Sequence, residues 1–83
     1  MENKSLYSVY ASRFAEASTD SLITSFNNQV GKRGFNSARA AHDMALLHEI
    51  RHRGIDVSAI SSGESITFAQ KIRLQGNVLL IVE

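Results

Sequence analysis

The chain of 83 residues carries a formal net charge of +1 and contains no cysteine. A chain of this length forms one domain with a small core, and association would help it because it buries only about 60–65% of its unfolded surface. The missing cysteines exclude disulfides and thiolate metal sites, and the nearly balanced charge argues neither for nor against a polyanionic partner. The chain opens without an apolar signal core, and its longest apolar run covers only residues 78–82, so we expect a cytoplasmic protein with no membrane partner.

The first predicted helix covers residues 5–17. Apolar side chains recur there at every fourth position, at Leu6, Tyr10 and Phe14, and this spacing favours an amphipathic helix with a buried stripe. The same stretch is rich in residues that favour strands, so a strand over residues 5–14 is the alternative prediction.

The second predicted helix covers residues 19–30, with Ser18 or Thr19 as its N-cap. Apolar residues at helical spacing are predicted to face the core, and these are Leu22, Ile23, Phe26 and Val30. Consecutive amide side chains are predicted to lie on the exposed side, and these are Asn27, Asn28 and Gln29.

A basic connection follows, with the sequence Gly31-Lys32-Arg33-Gly34. Two glycines around two cations before a helix N-terminus offer the chemistry of a phosphate cradle. The P-loop spacing is absent, however, so a tight corner between two helices is favoured. A helix-turn-helix is a further interpretation, to which Arg39 is suited, whereas the alanines around Arg39 offer little for reading bases.

The third predicted helix covers residues 37–53 and shows the strongest helical signals of the chain. Asn36 or Ser37 can cap its first turn, and Gly54 fits the residue that ends a helix in a left-handed conformation. Its apolar stripe consists of Ala40, Met44, Leu47 and Ile50. We therefore expect this helix in the centre of the fold.

Near its end this helix carries the string His48-Glu49-Ile50-Arg51-His52, which matches the HExxH pattern of zinc hydrolases. On a helix the two histidines are one turn apart, and the glutamate would act as general base. A third protein ligand is required, and no histidine follows His52. We therefore interpret His48 and His52 as weak candidate metal ligands, and we assign no cofactor and no catalytic residue.

The C-terminal part is predicted to form an antiparallel hairpin. A short turn over residues 56–60 and a loop over residues 61–64 precede its strands, which cover residues 66–74 and 78–82 around a turn at residues 75–77. The second strand is apolar on both faces, and a lone two-stranded ribbon is marginal in water. We expect the N-terminal segment or a second copy of the chain to cover it, and its open edge invites strand addition. The alternative is that the helices bury one face and the other face is ordinary apolar surface.

Residues 26–60 contain the runs Phe-Asn-Asn-Gln-Val-Gly-Lys-Arg-Gly-Phe, Ser-Ala-Arg-Ala-Ala and Arg-Gly-Ile-Asp-Val-Ser-Ala-Ile. These sequence runs resemble those of small uncharacterised bacterial proteins that are associated with mobile-element or accessory genes. The resemblance implies a compact module, and it carries over no catalytic residue and no substrate.

Together the elements predict the α+β class, with two to three helices packed against a C-terminal antiparallel β-hairpin in a single domain over residues 1–83. For function we expect a small, soluble, non-enzymatic interaction module that forms a homodimer or binds another protein and has no small-molecule substrate. Its predicted binding residues are Lys32, Arg33, Arg39, Lys71, Arg73, Val78, Leu80 and Val82.

Two alternatives stay open. The first is a nucleic-acid accessory protein, whose affinity would fall steeply with salt. Its phosphate contacts would come from Lys32, Arg33, Arg39, Arg51, Arg53, Lys71 and Arg73. The second alternative is a zinc hydrolase centred on His48, Glu49 and His52.

Overall fold

A computed structural model describes residues 5–32, 34, 36–63 and 65–82. In chain order, its elements are α1 (Leu6–Glu16), α2 (Thr19–Gln29), α3 (Ser37–His52), β1 (Ser61–Ser62), β2 (Ser65–Ile66), β3 (Ile72–Gln75) and β4 (Val78–Ile81). The strands form two antiparallel sheets of two strands each, β1 with β2 and β3 with β4. This arrangement of helices followed by a C-terminal hairpin confirms the predicted α+β class.

Each helix begins at a polar side chain that accepts a backbone N–H of the first turn. Ser5 accepts from the N–H of Ser8, Ser18 from Ser21, and Asn36 from Arg39. These caps satisfy donors that a helix leaves without an internal partner. Residues 6–16 are helical, so the alternative prediction of a strand at the N-terminus was wrong.

The core lies around α3, against which both α1 and α2 pack. Its buried apolar residues come from every part of the chain and are Phe14, Leu22, Phe26, Ala45, Leu46, Leu47, Ile50, Ile55, Val57, Ile60, Ile72 and Leu79. The apolar stripe predicted for α3 is only part of its buried surface, since Ala45 and Leu46 are buried while Met44 is half-buried. A helix with neighbours on more than one side buries more than one stripe.

The single strand predicted over residues 66–74 needs correction. Residues 65–66 form an antiparallel pair with the preceding residues 61–62, which were predicted to belong to a loop. Residues 67–71 leave the strand direction, and within them Phe68 stacks on the buried Phe26 with ring centroids 4.6 Å apart. The strand is interrupted because local pairing across Gly63 and burial of the Phe68 ring both oppose a straight continuation into β3.

The main hairpin joins β3 and β4 in the register Ile72↔Ile81, Arg73↔Leu80, Leu74↔Leu79 and Gln75↔Val78. Its loop has two residues, and Gly76 at the first of them has a φ of 63°. A glycine with positive φ at this position is typical of type II′ turns, whose twist matches the strands they connect. The turn therefore fixes which side chains share each face of the hairpin.

A bilayer-crossing helix needs a long apolar stretch, and none is found in the part of the chain that the structure describes.

Candidate functional site

The two faces of the hairpin have different surroundings. Ile72 and Leu79 face the core and are 2% and 1% exposed. The residues that alternate with them face outward, because successive side chains of a strand point to opposite sides. We call this side the outer face, and it consists of Lys71, Arg73, Gln75, Val78, Leu80 and Val82.

The outer face has an apolar row beside a polar row. Along β4, Val78 is 37% exposed, Leu80 is half-buried and Val82 is 44% exposed. The neighbouring row, from β3 and the residue before it, is polar and consists of Lys71, Arg73 and Gln75. The pairing places the two rows side by side, since Arg73 is opposite Leu80 and the carbonyl of Lys71 accepts the N–H of Val82 at 2.8 Å. The strand register thus brings five of the predicted binding residues to one surface.

The outer edge of β4 is covered at its beginning by one backbone residue. The N–H of Asp56 donates to the carbonyl of Asn77 at 2.7 Å, and the N–H of Leu79 donates to the carbonyl of Asp56 at 3.1 Å. In an antiparallel ladder every second residue directs its backbone groups away from the partner strand. Among the described residues of β4, this leaves the carbonyl of Leu79 and the backbone groups of Ile81 on the open edge, so the predicted strand addition has little room there.

The outer edge of β3 is covered at Ile72 by a side chain of α2. The carboxamide of Asn27 donates to the carbonyl of Ile72 at 2.9 Å and accepts the N–H of Ile72 at 2.8 Å. It therefore takes the place of a neighbouring strand residue. The prediction that Asn27 lies on the exposed side of α2 was wrong, and its periodicity could not reveal a partner 45 positions away.

Among the other predicted binding residues, Arg39 makes contacts within the molecule. Its guanidinium donates to the carbonyl of Gly34 at 2.8 Å and of Lys32 at 3.2 Å, and it lies 5.7 Å from the ring centroid of Phe68. Arg39 thus fixes the connection between α2 and α3. The side chain of Lys32 is exposed in this connection, and Arg33 lies outside the described residues.

Two further cations of the proposed phosphate-binding set also contact protein groups. Arg51 donates to the hydroxyl of Ser61 at 3.1 Å and to the carbonyl of Gly63. Arg53 donates to the carbonyls of Phe14 at 2.9 Å and Ala17 at 2.6 Å. These guanidinium groups therefore hold loops and helix ends together.

Arg53 makes the most extensive of these connections. Besides the two carbonyls at the end of α1, it donates to the hydroxyl of Thr19 at 3.1 Å and to the carboxylate of Glu49 at 2.8 Å. A planar guanidinium with five donors is suited to serve several acceptors at once. We call this group the Arg53 clamp, because it joins the ends of α1, α2 and α3. The sequence showed only a basic residue at a helix end.

The HExxH string lies in the same region of α3. The Glu49 carboxylate belongs to the Arg53 clamp, and the Nδ1 atom of His48 is 2.6 Å from the hydroxyl of Tyr7. His52 is exposed. Within the described ranges of the chain, no three His, Asp or Glu side chains come together in a group that could hold a metal ion.

A groove of about 320 Å³ lies between α3 and the segment after β2. Its lining is largely apolar and includes Arg39, Ala40, Asp43, Met44, Ile66 and Phe68. The buried carboxylate of Asp43 lies 3.5 Å from the Arg39 Nε atom and 3.1 Å from the His42 Nδ1 atom. The charged groups of the groove pair with one another and so stabilise the fold, and we therefore do not assign a ligand to the groove.

Comparison of the chain with protein-family models, curated proteins and solved structures finds no match. The assignment of a function therefore depends on the chemistry of the surfaces described above.

Proposed function

We propose that this protein is a small, non-enzymatic interaction module that binds polypeptides, including a second copy of itself, through the outer face of its hairpin. The observation that carries the proposal is the apolar row on the outer face, in which Val78 and Val82 are exposed and Leu80 is half-buried. Exposed apolar residues are ordinary when scattered, whereas a contiguous set beside charged residues is typical of interaction sites.

The environment of the HExxH string supports the non-enzymatic part of the proposal. A zinc hydrolase needs the glutamate available to a water molecule and the histidines directed at one ion. Here the Glu49 carboxylate holds Arg53, and His48 contacts Tyr7.

The size of the outer face supports transient rather than permanent association. The hairpin is two strands wide and four residues long, so the face measures roughly 10 by 13 Å. A stable protein interface buries about 800 Å² on each partner. Self-association through this face is therefore expected to be weak and reversible.

The test is an NMR dilution series from millimolar to micromolar protein. Concentration-dependent amide shifts are expected at residues 78–82, and they should disappear in the double variant Val78→Thr/Val82→Thr, which keeps β-branched side chains while adding hydroxyls. The matched control is Val9→Thr on α1, since Val9 is exposed to the same 37% as Val78. Shifts that map away from the hairpin, or that survive in the double variant, would contradict self-association through this face.

A further inference from the structure

We infer that the outer face is built for an extended segment of another protein, one with apolar side chains at alternate positions and carboxylates at its flanks. This inference rests on the proposed function, and it names the class of partner. Three observations support it: the positive charge of the face, the spacing of its apolar side chains, and the contacts that the other arginines make within the protein.

The charge of the outer face has one sign. Lys71 and Arg73 are both exposed, and among the described residues of this face no carboxylate accompanies them. The guanidinium of Arg73 donates to the neutral amide oxygen of Gln75 at 3.0 Å, so its charge is available to a carboxylate from a partner. A carboxylate from a partner would form charge-assisted hydrogen bonds with both cations.

The same charge disfavours a second copy as the main occupant. A symmetric dimer presents the same patch from both subunits, so Lys71 and Arg73 would be doubled at the interface. Like charges brought together oppose association. An acidic partner would instead be attracted to Lys71 and Arg73.

The spacing of the apolar row fits an extended segment. Alternate side chains of a strand lie about 6.6 Å apart, and Val78, Leu80 and Val82 follow this spacing along β4 and the residue after it. A partner in the same extended conformation repeats its own side chains with the same period.

A nucleic acid fits the surface less well. Single strands bind where bases stack on aromatic rings along a basic groove, and the outer face has an aliphatic row instead. The guanidinium groups of Arg39, Arg51 and Arg53 already contact protein carbonyls. This leaves the hairpin with two cations, which is few for the phosphate contacts that give nucleic-acid affinity.

The experiment uses three capped peptides of nine residues with the native chain. All three carry leucines at three alternating positions with serines between them, and their ends carry two aspartates, two serines or two lysines on each side. We expect the acidic peptide to bind about fivefold more tightly than the neutral one, because each exposed ion pair contributes little by itself. The basic peptide should bind weakest, and the differences should shrink as salt is added.

Binding is measured by amide shifts at residues 71–82, with variants that separate charge from apolar contact. Lys71→Gln/Arg73→Gln should make the three peptides equal, while Val78→Thr/Val82→Thr should weaken all three to a similar extent. Lys32→Gln is the matched control, because Lys32 is an exposed cation outside the hairpin. Well-dispersed spectra of each variant establish that it is folded.

The outcomes distinguish this inference from the function on which it rests. Three peptides that bind the hairpin equally, or a basic peptide that binds best, would overturn the inference and leave the interaction surface intact. An oligothymidine of ten nucleotides that displaces the acidic peptide with higher affinity would also overturn it. Absence of any peptide shift at the hairpin, together with absence of self-association, would remove both proposals.

Discussion

The C-terminal end of α3 and the outer face of the hairpin use their side chains in opposite ways. At the helix end, charged groups turn into the molecule, where Arg53 serves acceptors from three helices. On the hairpin, apolar groups turn outward and leave Val82 44% exposed. The charged region resembles a catalytic string in sequence and acts as a clamp, whereas the apolar region resembles a core strand and lies at the surface. What a side chain contacts therefore says more about function than its chemical type.

The largest expected effect comes from breaking the Arg53 clamp. Arg53→Met keeps much of the aliphatic stem but leaves the carbonyls of Phe14 and Ala17 and the Glu49 carboxylate without this donor. We expect the free energy of unfolding to fall by about 3 kcal/mol, since partly buried acceptors of a charged donor lose their partner. Urea denaturation measures the change.

Arg73→Met is the control for that comparison, because Arg73 is exposed on the hairpin. Its effect on unfolding should stay within about 0.5 kcal/mol. An equal loss of unfolding free energy in Arg53→Met and Arg73→Met would mean that the contacts of Arg53 add no more stability than an exposed arginine does.

A smaller effect is expected where Asn27 of α2 binds the backbone of Ile72 at the edge of the hairpin. Asn27→Ala leaves both backbone groups of Ile72 without the carboxamide, and we expect a loss of about 2 kcal/mol in the free energy of unfolding. Asn28→Ala is the matched control, because this neighbouring amide is exposed. A loss as large in Asn28→Ala would show that helix propensity, and not the closed edge, causes the change.

The smallest effect concerns an exposed charge with a local partner. The backbone N–H of Ser58, and then its hydroxyl, hold the pKa of the Asp56 carboxyl below its ordinary value of 3.8. Because the folded pKa is lowered, the ionised group stabilises the turn fully above pH 3.8. This contribution is lost as the pH falls through the folded pKa.

An NMR titration of the Ser58 amide proton checks this direction, and its midpoint is expected below pH 3.8. The titration should vanish in Asp56→Asn, which keeps an oxygen acceptor for the Ser58 N–H. A midpoint at or above pH 3.8 would contradict the hydrogen bond as the cause.

The helices and the hairpin were predictable because their signals are local. Caps at Ser18 and Asn36, apolar periodicity and a glycine in a two-residue turn act within a few positions of one another. The shared surface of Arg73 and Val78 needed the strand register, which the structure supplies, because alternation alone does not tell which faces of two strands coincide.

The features that sequence reasoning missed depend on distant partners. Asn27 meets Ile72 across 45 positions, and Arg53 meets the carbonyl of Phe14 across 39. Neither partner changes the local pattern of the other, so periodicity placed Asn27 on the exposed side of its helix and gave no sign of the contacts of Arg53. The interrupted strand before β3 has the same origin, because the ring of Phe68 follows Phe26 into the core.

The bond between Asn27 and Ile72 also separates two motions of the native chain. The N–H of Ile72 is held by a helix side chain, whereas the ladder amides of the hairpin are held by the opposite strand. Hydrogen exchange at Ile72 therefore counts the openings in which the Asn27 side chain leaves the strand, while exchange within the ladder counts the openings in which the strands part. Comparing the two rates shows whether the contact between α2 and the hairpin opens together with the strands or before them.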